Sequence, residues 1–373
     1  LQMNNKNFVT YIDYGLYKIR STSIKRNNSN DFFFHESDNV HNDLNKDVEI
    51  EKIIANIEKD TNEYLEAINL MIDSSEMHSI ALSLSKNFDG SVLKKEDVKF
   101  LIQDAKQQIL RNHINQNILH IIVRKYKIDN IEYSYLPDNI RCSLLSIDII
   151  FICLPKKITE QVKKNFLKYD ISINQTLCSS YVKSLSYKNE FNSSENLCFI
   201  DIGFDKTSII FYIKNEMNFF HVLPLGSNSI TLDLSKVLNI DLSNAEIAKL
   251  YSNDDDHFFN EKNLSIDLVK QIIFFRIEEI LKLALKSVRL NIDIKQFSQF
   301  TMILMGKGSM ILDKKLRESL SLMCKSYLIN ETKESIGECV IKLNRGLNKQ
   351  EVVLVPKKQT KRGFFERLFH FFN

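Results

Sequence analysis

Three short turns in the sequence contain the residue types that hold phosphate groups and hydrated metal ions. They are Asp13-Tyr14-Gly15, Asp201-Ile202-Gly203 and Gly306-Lys307-Gly308-Ser309. An aspartate that ends a strand can hold a hydrated magnesium ion, and a glycine lets backbone N–H groups approach a phosphate closely. The two Asp-x-Gly turns therefore indicate two related half-domains that face each other across one phosphate site. Each turn alone is more often an ordinary hairpin, so the prediction depends on their combination.

Apolar periodicity predicts the strands and helices that position these turns. The first turn lies in a strand-turn-strand over Asn7–Ser23, the second follows a buried strand at Leu197–Ile202, and the third follows a strand at Phe300–Leu304. Helical spacing predicts helices over Val48–Asp73, Lys94–Arg111, Lys157–Leu167, Thr176–Ser186, Ile230–Val237, Ser243–Tyr251 and Ile266–Leu290. Other strands are predicted over His78–Ser85, Ile118–Ile128, Ser143–Leu154, Ser208–Lys214 and Phe219–Pro224, and Asn27–Asp43 is predicted to be loop with a short strand.

Length and composition exclude several classes of protein. A chain of 373 residues favours two or three domains, and a formal net charge of +3 argues against a nucleic-acid-binding protein. The six cysteines have no zinc-ligand spacing, which favours a reduced, cytosolic chain. His120 lies in an apolar strand and is predicted to be a hydrogen-bonded core residue. Leu1–Arg20 lacks a signal-peptide pattern, and the longest apolar run, Leu144–Leu154, is too short to span a bilayer, so no membrane crossing is expected.

The last residues form a basic amphipathic pattern. Gly363–Phe372 is predicted to be a helix after a polar linker, with large apolar residues on one face. Such a helix lies in the headgroup layer of an anionic membrane, although it could instead dock on the protein's own core. One copy would be a marginal anchor, whereas a polymer would bind by avidity. The residues predicted to contact the membrane are Phe364, Phe365, Leu368, Phe369, Phe371, Phe372, Lys361, Arg362 and Arg367.

From about Ile80 onward, an ordered set of motifs resembles FtsA, the actin-like family of bacterial cell division. The resemblance covers most of the chain in the family's order, and it ends in the C-terminal helix. The motifs that carry it are Glu96-Asp97-Val98 before Ala105-Lys106, Ile118-Leu119-His120-Ile121-Ile122 with Tyr126-Lys127-Ile128-Asp129, Asp201-Ile202-Gly203 with Thr207, Gly226-Ser227-Asn228-Ser229-Ile230-Thr231-Leu232-Asp233, Ala245-Glu246 with Lys249, and Arg276-Ile277-Glu278-Glu279-Ile280.

The resemblance implies an α/β fold of the actin-like, two-lobed, ribonuclease-H type with an inserted small α+β subdomain and a C-terminal amphipathic helix. The first lobe would comprise residues 1–78 and 156–195, and the inserted subdomain, of the SHS2-like 1C type, residues 79–155. The second lobe would comprise 196–343, with a possible return of its end to the first lobe. Residues 344–360 would be a linker and 361–373 the membrane-targeting helix.

The resemblance also implies ATP and Mg²⁺ in the cleft between the lobes. Asp13 and Asp201 would hold the magnesium ion through water. The residues implied in binding the nucleotide are Asp13, Gly15, Lys18, Asp201, Gly203, Thr207, Gly226, Asn228, Glu246, Lys249, Gly306, Gly308 and Ser309. No residue is implied as catalytic, so ATPase activity is expected to be weak or absent.

The partners that the resemblance implies are the tubulin-like FtsZ polymer, further copies of the chain, later division proteins and an anionic membrane surface, with no nucleic acid. FtsZ would bind the lobe that contains Gly226–Leu290, and self-association would use the inserted subdomain. The expected location is the cytoplasmic side of the inner membrane at the division septum, where the chain would be a peripheral scaffold.

The sequence departs from the family's pattern at the turns themselves. Leu16 and Tyr17 stand where small or hydroxylated residues are usual, and Phe204, Asp205, Ser227 and Lys307 replace glycines. Asp205 would add a negative charge beside a polyphosphate, and Lys206 and Lys307 could offset it. These departures predict weakened nucleotide binding. Two alternatives remain open: a nucleotide-free membrane tether on the same fold, and a small-molecule kinase.

Overall fold

The computed structural model describes residues 7–37, 43–137, 139–191, 195–252, 256–293, 299–312, 324–344 and 351. The predicted linker, apart from residues 344 and 351, and the predicted C-terminal helix lie outside these residues. Within the described part of the chain, none of the helices is both long and apolar enough to span a bilayer.

Two five-stranded sheets with the same strand pattern form the body of the protein. The first has the order β3-β2-β1-β4-β9, built from β1 (Phe8–Tyr14), β2 (Ile19–Lys25), β3 (Asn28–Glu36), β4 (Ala67–Ile72) and β9 (Ser172–Cys178). The second has the order β12-β11-β10-β13-β14, built from β10 (Leu197–Ile202), β11 (Thr207–Ile213), β12 (Glu216–Leu223), β13 (Thr301–Met305) and β14 (Ser326–Leu328). In both sheets an antiparallel three-strand meander is extended by two parallel strands. The chain therefore contains two related halves, as the paired Asp-x-Gly turns indicated.

Helices cover the outer faces of both sheets and fill the space between them. The first sheet packs against α1 (Asp43–Thr61) and α3 (Lys156–Leu167), and the second against α5 (Ser227–Leu238), α6 (Leu242–Tyr251), α7 (Asp256–Glu261) and α8 (Ile266–Asn291). Between the sheets lie α4 (Ser179–Tyr187) and α9 (Lys333–Asn344). Tyr181 of α4 and Tyr212 of β11 are fully buried there, so the two halves share one core.

A smaller unit of four strands and one helix is inserted after β4. Its sheet has the order β5-β8-β6-β7, built from β5 (His78–Val92), β6 (Gln116–Ile128), β7 (Ile131–Tyr133) and β8 (Arg141–Pro155), and α2 (Lys95–Asn112) covers one face. Ile147, Ile149 and Phe151 of β8 pack toward α2. The alternate residues, Ile150 and Ile152, join the core of the main body. The long apolar run of β8 exists because both faces of this strand are buried.

His120 of β6 connects the inserted unit to the rest of the chain through hydrogen bonds. Its Nε2 accepts a hydrogen bond from the backbone N–H of Cys178 at 2.9 Å, and its Nδ1 lies 2.6 Å from Oε1 of Glu351. The side chain is buried, with 1% of its surface exposed. The prediction that His120 is a hydrogen-bonded core residue is confirmed.

Three predicted segments differ from the structure. The helix over Val48–Asp73 is wrong in its second half, because α1 ends at Thr61, Asn62 has a left-handed φ of 53°, and β4 follows. The first residues of the predicted helix Thr176–Ser186 belong to β9. The short strand predicted with the loop at Asn27–Asp43 is present as β3 and is longer than expected, with nine residues. Short buried strands and helices carry similar apolar runs, which explains the first two errors.

Gly337 on α9 gives a test of how tightly this helix packs on the first sheet. A Cβ at Gly337 would lie 1.9 Å from the ring of Phe34 in β3. Alanine normally stabilises a helix relative to glycine by about 1 kcal/mol. Here we expect Gly337→Ala to destabilise the protein by about 1–3 kcal/mol in urea unfolding, because the added methyl group overpacks the contact. The double variant Phe34→Leu Gly337→Ala should recover part of the loss, and a stabilising Gly337→Ala would contradict this packing.

Candidate functional site

The two Asp-x-Gly turns line the same cavity, at the end of the cleft between the two sheets. They have equivalent geometry, since Gly15 N–H donates to the carbonyl of Lys18 at 3.1 Å and Gly203 N–H donates to the carbonyl of Lys206 at 2.9 Å. Gly306 of the third turn lines the cavity as well. The structure thus brings the three turns together, while their roles in ligand binding stay predictions.

The third turn needs glycine because it passes directly over Asp201. Gly306 has a φ of 86°, and a Cβ there would lie 2.3 Å from Oδ1 of Asp201. A Cβ at Gly308 would lie 2.6 Å from Cγ2 of Ile202. The close approach of backbone that these glycines permit is made to the protein's own second turn.

Lys183 is the cation nearest to Asp201. It projects from α4 with its ammonium 2.8 Å from Oδ2 of Asp201 and 3.0 Å from Oε1 of Glu331. All three side chains are buried, with 7%, 3% and 2% of their surfaces exposed. Lys183 therefore neutralises the aspartate that was predicted to hold magnesium.

Lys206 makes a second buried set of contacts beside the first. Its ammonium donates to Oδ2 of Asp73 at 2.7 Å, to Oγ of Ser180 at 2.8 Å and to Oγ of Ser208 at 2.9 Å. It also lies 3.8 Å from Oδ2 of Asp201. Because Asp73 follows β4 and Lys206 precedes β11, this ion pair joins the first sheet to the second.

The first turn is engaged in the same way. The hydroxyl of Ser179 donates to Oδ1 of Asp13 at 2.7 Å, and Nη1 of Arg20 lies 3.4 Å from its Oδ2. Lys18, the predicted phosphate ligand, forms an ion pair with Glu36 in β3. Both polar side chains that the first turn was predicted to offer to a ligand thus have partners within the protein.

An aromatic contact joins the two turns across the cavity. The rings of Tyr17 and Phe204 stack with their centroids 6.3 Å apart. These are two of the bulky residues that stand where the family has small ones. The carbonyl groups of Gly203 and Phe204 also accept hydrogen bonds from Ser227 N–H at 2.9 Å and Asn228 N–H at 2.7 Å. The first N–H groups of α5 are consequently occupied by the neighbouring turn.

The cavity is small and its charges balance. Its volume is about 110 Å³, whereas small-molecule sites typically measure about 300–1,000 Å³. Five cationic side chains and five carboxylates line it, namely Lys18, Arg20, Lys183, Lys206 and Lys307 with Asp13, Asp73, Asp201, Asp205 and Glu331. A site with no net charge offers little attraction to a polyphosphate.

The pKa shifts show that the buried charges stabilise one another. Burial alone would raise the pKa of Asp201, but Lys183 and Lys206 bring it below its ordinary value. Burial would likewise raise the pKa of Asp73, which Lys206 lowers overall. For Lys183, burial would lower the pKa, and Asp201 and Glu331 raise it well above its ordinary value. Both carboxylates and both lysines are therefore charged at neutral pH.

The other predicted ligand residues do not line this cavity. Glu246 and Lys249 form a pair with 2.6 Å between Oε2 and Nζ, and Thr231 donates to the same Oε2 at 2.5 Å. Thr207 donates its hydroxyl to the carbonyl of Leu225 at 2.7 Å. Ser309 donates to the carbonyl of Gly306 at 2.7 Å. These side chains have partners within the protein, and their contacts with adenosine or phosphate stay predictions.

Sequence reasoning missed Asp73, Lys183 and Glu331. Asp73 directly follows a buried strand, and an aspartate at a strand end is also the signal that identified Asp13 and Asp201. This signal was missed because the segment Val48–Asp73 was predicted to be a helix. Lys183 lies on α4, where both adjacent residues, Val182 and Ser184, are buried, and a lysine in such a position has a buried partner. Glu331 lies just after the short strand β14, and no sequence signal marked it.

Comparison with known proteins agrees with this architecture. The structure matches a chain of the "PilM-PilN type IV pilus biogenesis complex" with a TM-score of 0.60 at 10% identity, covering 91% of this chain and 98% of that one. This likeness concerns the fold alone. Together with the duplicated sheets and the cleft between them, it defines the class: the protein has an actin-like fold, as the sequence predicted.

Within this class the sequence is similar to the cell-division protein FtsA. Residues 198–298 match the family model described as "Cell division protein FtsA". FtsA of Buchnera aphidicola subsp. Acyrthosiphon pisum is 24% identical over 307 residues, covering 74% of this chain and 72% of that protein. FtsA of Escherichia coli K12 is 22% identical over 156 residues, covering 42% of this chain and 37% of its own length. The resemblance that the motifs indicated is thereby confirmed.

Coverage of the relatives is partial. A second Buchnera FtsA, from the subspecies Schizaphis graminum, is 27% identical over 207 residues that span 48% of its length. The chain thus spans between about half and three quarters of the FtsA sequences from Buchnera to which it is similar.

The actin-like fold suggests nucleotide binding in the cleft, and the residues present can be tested against a magnesium nucleotide. Asp13 and Asp201 are both paired with cations, and the described residues contain no group of three or more His, Cys, Asp or Glu arranged to hold a metal ion. Tyr17 and Phe204 occupy space between the turns. In the conformation of the structure these residues do not fit a magnesium nucleotide.

The buried charges predict a specific pH dependence. Unfolded aspartates take up protons near pH 3.8, whereas Asp73 and Asp201 stay charged to lower pH in the folded protein. The unfolded state therefore binds more protons, and the free energy of unfolding should fall as the pH decreases from about 5 to 3. Lys183→Met removes the cation closest to Asp201, so we expect a shallower fall in urea titrations over this range.

Lys188→Met is the matched control, because Lys188 is also buried but donates to the backbone carbonyl of Asn215 at 3.0 Å. It should keep the slope of the unmodified protein. Equal slopes for all three proteins would contradict the role of Lys183.

Proposed function

We propose that this chain is a cell-division scaffold of the FtsA type, which links FtsZ filaments to the cytoplasmic face of the inner membrane at the septum and recruits later division proteins. The observation that carries the proposal is the family match over residues 198–298, which spans the second sheet's helical layer. The resemblance implies that FtsZ binds the lobe containing Gly226–Leu290, and we propose that the contact lies in this layer. Scaffolding needs exposed surfaces rather than a reactive cleft, and the chain has such surfaces.

The helical layer on the second sheet supports an FtsZ contact. Large apolar side chains are exposed on α5, α6 and α8, and Phe275 has 63% of its surface exposed. Arg276 of α8 holds Asp233 of α5 through two hydrogen bonds of 2.5 and 2.8 Å, which fixes the two helices together. Five basic and three acidic residues on α8 favour a partner segment that is both apolar and acidic.

The inserted unit supports self-association, and we propose that it corresponds to the predicted subdomain 79–155. Its exposed apolar side chains include Phe100 on α2 with 70% of its surface exposed and Tyr135 with 75%. The unit is attached to the main body through the face of its sheet opposite α2. Its helix α2 therefore lies on the side of the unit that does not pack against the main body, and we propose that a second copy binds there.

Membrane attachment would use the basic amphipathic segment 361–373, which lies outside the described residues. Its six large apolar residues and its basic residues support the proposal through the sequence alone. The predicted linker before it would let one folded body reach the headgroup layer. The domain limits predicted for the two lobes and for this segment remain part of the proposal.

The cleft contains paired charges that a bound nucleotide would have to separate. ATP with Mg²⁺ is the ligand that the resemblance implies, and binding it would require the pairs around Lys183 and Lys206 to separate. The cavity carboxylates Asp13, Asp73, Asp201 and Glu331 already contact cations. None of these four is a free base for the attack of water, and we propose that scaffolding proceeds without hydrolysis. A small-molecule kinase would need a larger cavity than the one observed.

A recruitment assay tests the scaffold. FtsZ should float with vesicles that contain anionic lipid only when the full chain is present. Phe275→Ala should lower FtsZ recruitment about tenfold while the chain itself stays on the vesicles, because an exposed aromatic anchor is lost from the contact. Flotation of each protein on a density gradient measures both quantities.

The matched control is Phe100→Ala, which removes an equally exposed phenylalanine from the inserted unit. It should leave FtsZ binding per bound chain unchanged and weaken self-association in sedimentation velocity, where Phe275→Ala should have no effect. Equal losses of FtsZ binding for both variants, or none for either, would refute the placement of the FtsZ contact.

A further inference from the structure

Two buried lysines stand in the cleft where the fold leads one to expect a metal and a polyphosphate. Lys183 lies between Asp201 and Glu331, and Lys206 lies between Asp73 and the hydroxyls of Ser180 and Ser208. We propose that these two ammonium groups replace the metal–nucleotide, so that the chain closes its own cleft with internal ion pairs and does not need a ligand to hold its halves together. The inference concerns the cleft and does not depend on FtsZ or the membrane.

The contacts cross from one half of the molecule to the other. Asp73 follows β4 of the first sheet, and Lys206 lies in the turn before β11 of the second. Lys183 projects from α4, between the sheets, to Asp201 at the end of β10. The stacked rings of Tyr17 and Phe204 add an apolar contact between the two turns. Opening the cleft would break all of these contacts at once.

The burial of these groups makes opening unfavourable. The side chains of Lys183 and Lys206 are 7% and 6% exposed, and that of Asp201 is 3% exposed. When one partner of a buried ion pair is removed or displaced, the other remains as an uncompensated charge, which is strongly destabilising. A magnesium nucleotide would have to displace the lysines, and it would bring its own negative charge beside Asp73, Asp205 and Glu331.

The carboxylates beside Lys183 and Lys206 make it possible to test whether these ammonium groups take the place of a metal ion. Asp201 and Glu331 both lie within 3.0 Å of the ammonium of Lys183. Without this cation, two buried carboxylates would face each other, with Asp13 and Asp73 close enough to influence the same site. Hard divalent cations prefer carboxylate oxygens, so a metal ion should take the place of the missing ammonium.

The experiment measures melting temperatures of the full chain with and without millimolar MgCl₂, CaCl₂ and Mg-ATP. The unmodified protein should shift by less than about 1 °C with each addition, since its cleft already contains its cations. Lys183→Met should melt on the order of 5–10 °C lower, and Mg²⁺ or Ca²⁺ should restore part of this loss. Lys206→Met provides a second variant with the same expectation at Asp73.

Lys188→Met controls for the loss of any buried lysine, since Lys188 donates to a backbone carbonyl. It should melt lower without recovery by a divalent cation. A shift of several degrees in the unmodified protein with Mg-ATP would overturn the inference, because the nucleotide would then be displacing the lysines. Recovery of Lys183→Met and Lys206→Met no greater than that of Lys188→Met would also overturn it.

Discussion

The buried ammonium of Lys183 is the constraint on which the arrangement of the cleft depends. An ammonium without water is stable only if carboxylates surround it, and Asp201 and Glu331 do so at 2.8 and 3.0 Å. Asp201 ends the central strand of the second sheet, and Lys183 belongs to the helix between the sheets. The electrostatic need to keep these charges paired therefore fixes the second sheet against that helix, and Lys206 with Asp73 fixes it against the first.

The buried ion pairs of the cleft and the two surfaces proposed to bind partners lie in different parts of the molecule. The fold supplies two halves and a cleft, and the sequence fills the cleft with its own cations and with two aromatic rings. Exposed apolar residues are found, among other places, on the helical layer of the second sheet and on the inserted unit. A cleft closed by the protein itself would hold the two surfaces that we propose bind partners in a fixed relative position, as the proposed scaffold requires.

Much of the fold followed from the sequence because its strongest signals are local. Strands and helices with clear periodicity, such as α2, β8 and α8, were predicted within a few residues, and the ordered motifs identified the fold class. The buried strand β4 was not, since a run such as Ala67–Ile72 fits a helix or a strand equally well until its neighbours are known. The two Asp-x-Gly turns were identified for the same local reason. The partners of Asp201 were missed because Lys183 and Glu331 are distant in sequence, and only the packed fold brings them to it.

The central claim is that the protein's own contacts, without a nucleotide, hold the turns around the cleft, and amide hydrogen exchange tests it most directly. In the structure the N–H groups of Gly15 and Gly203 are hydrogen-bonded within the first and the second turn, and those of Ser227 and Asn228 at the start of α5 are hydrogen-bonded to the second turn. In the full chain without nucleotide, these amides should exchange slowly, and adding Mg-ATP should leave their rates unchanged. Rapid exchange at these four amides that becomes slow only with Mg-ATP would show that the nucleotide orders these turns, and it would contradict the account.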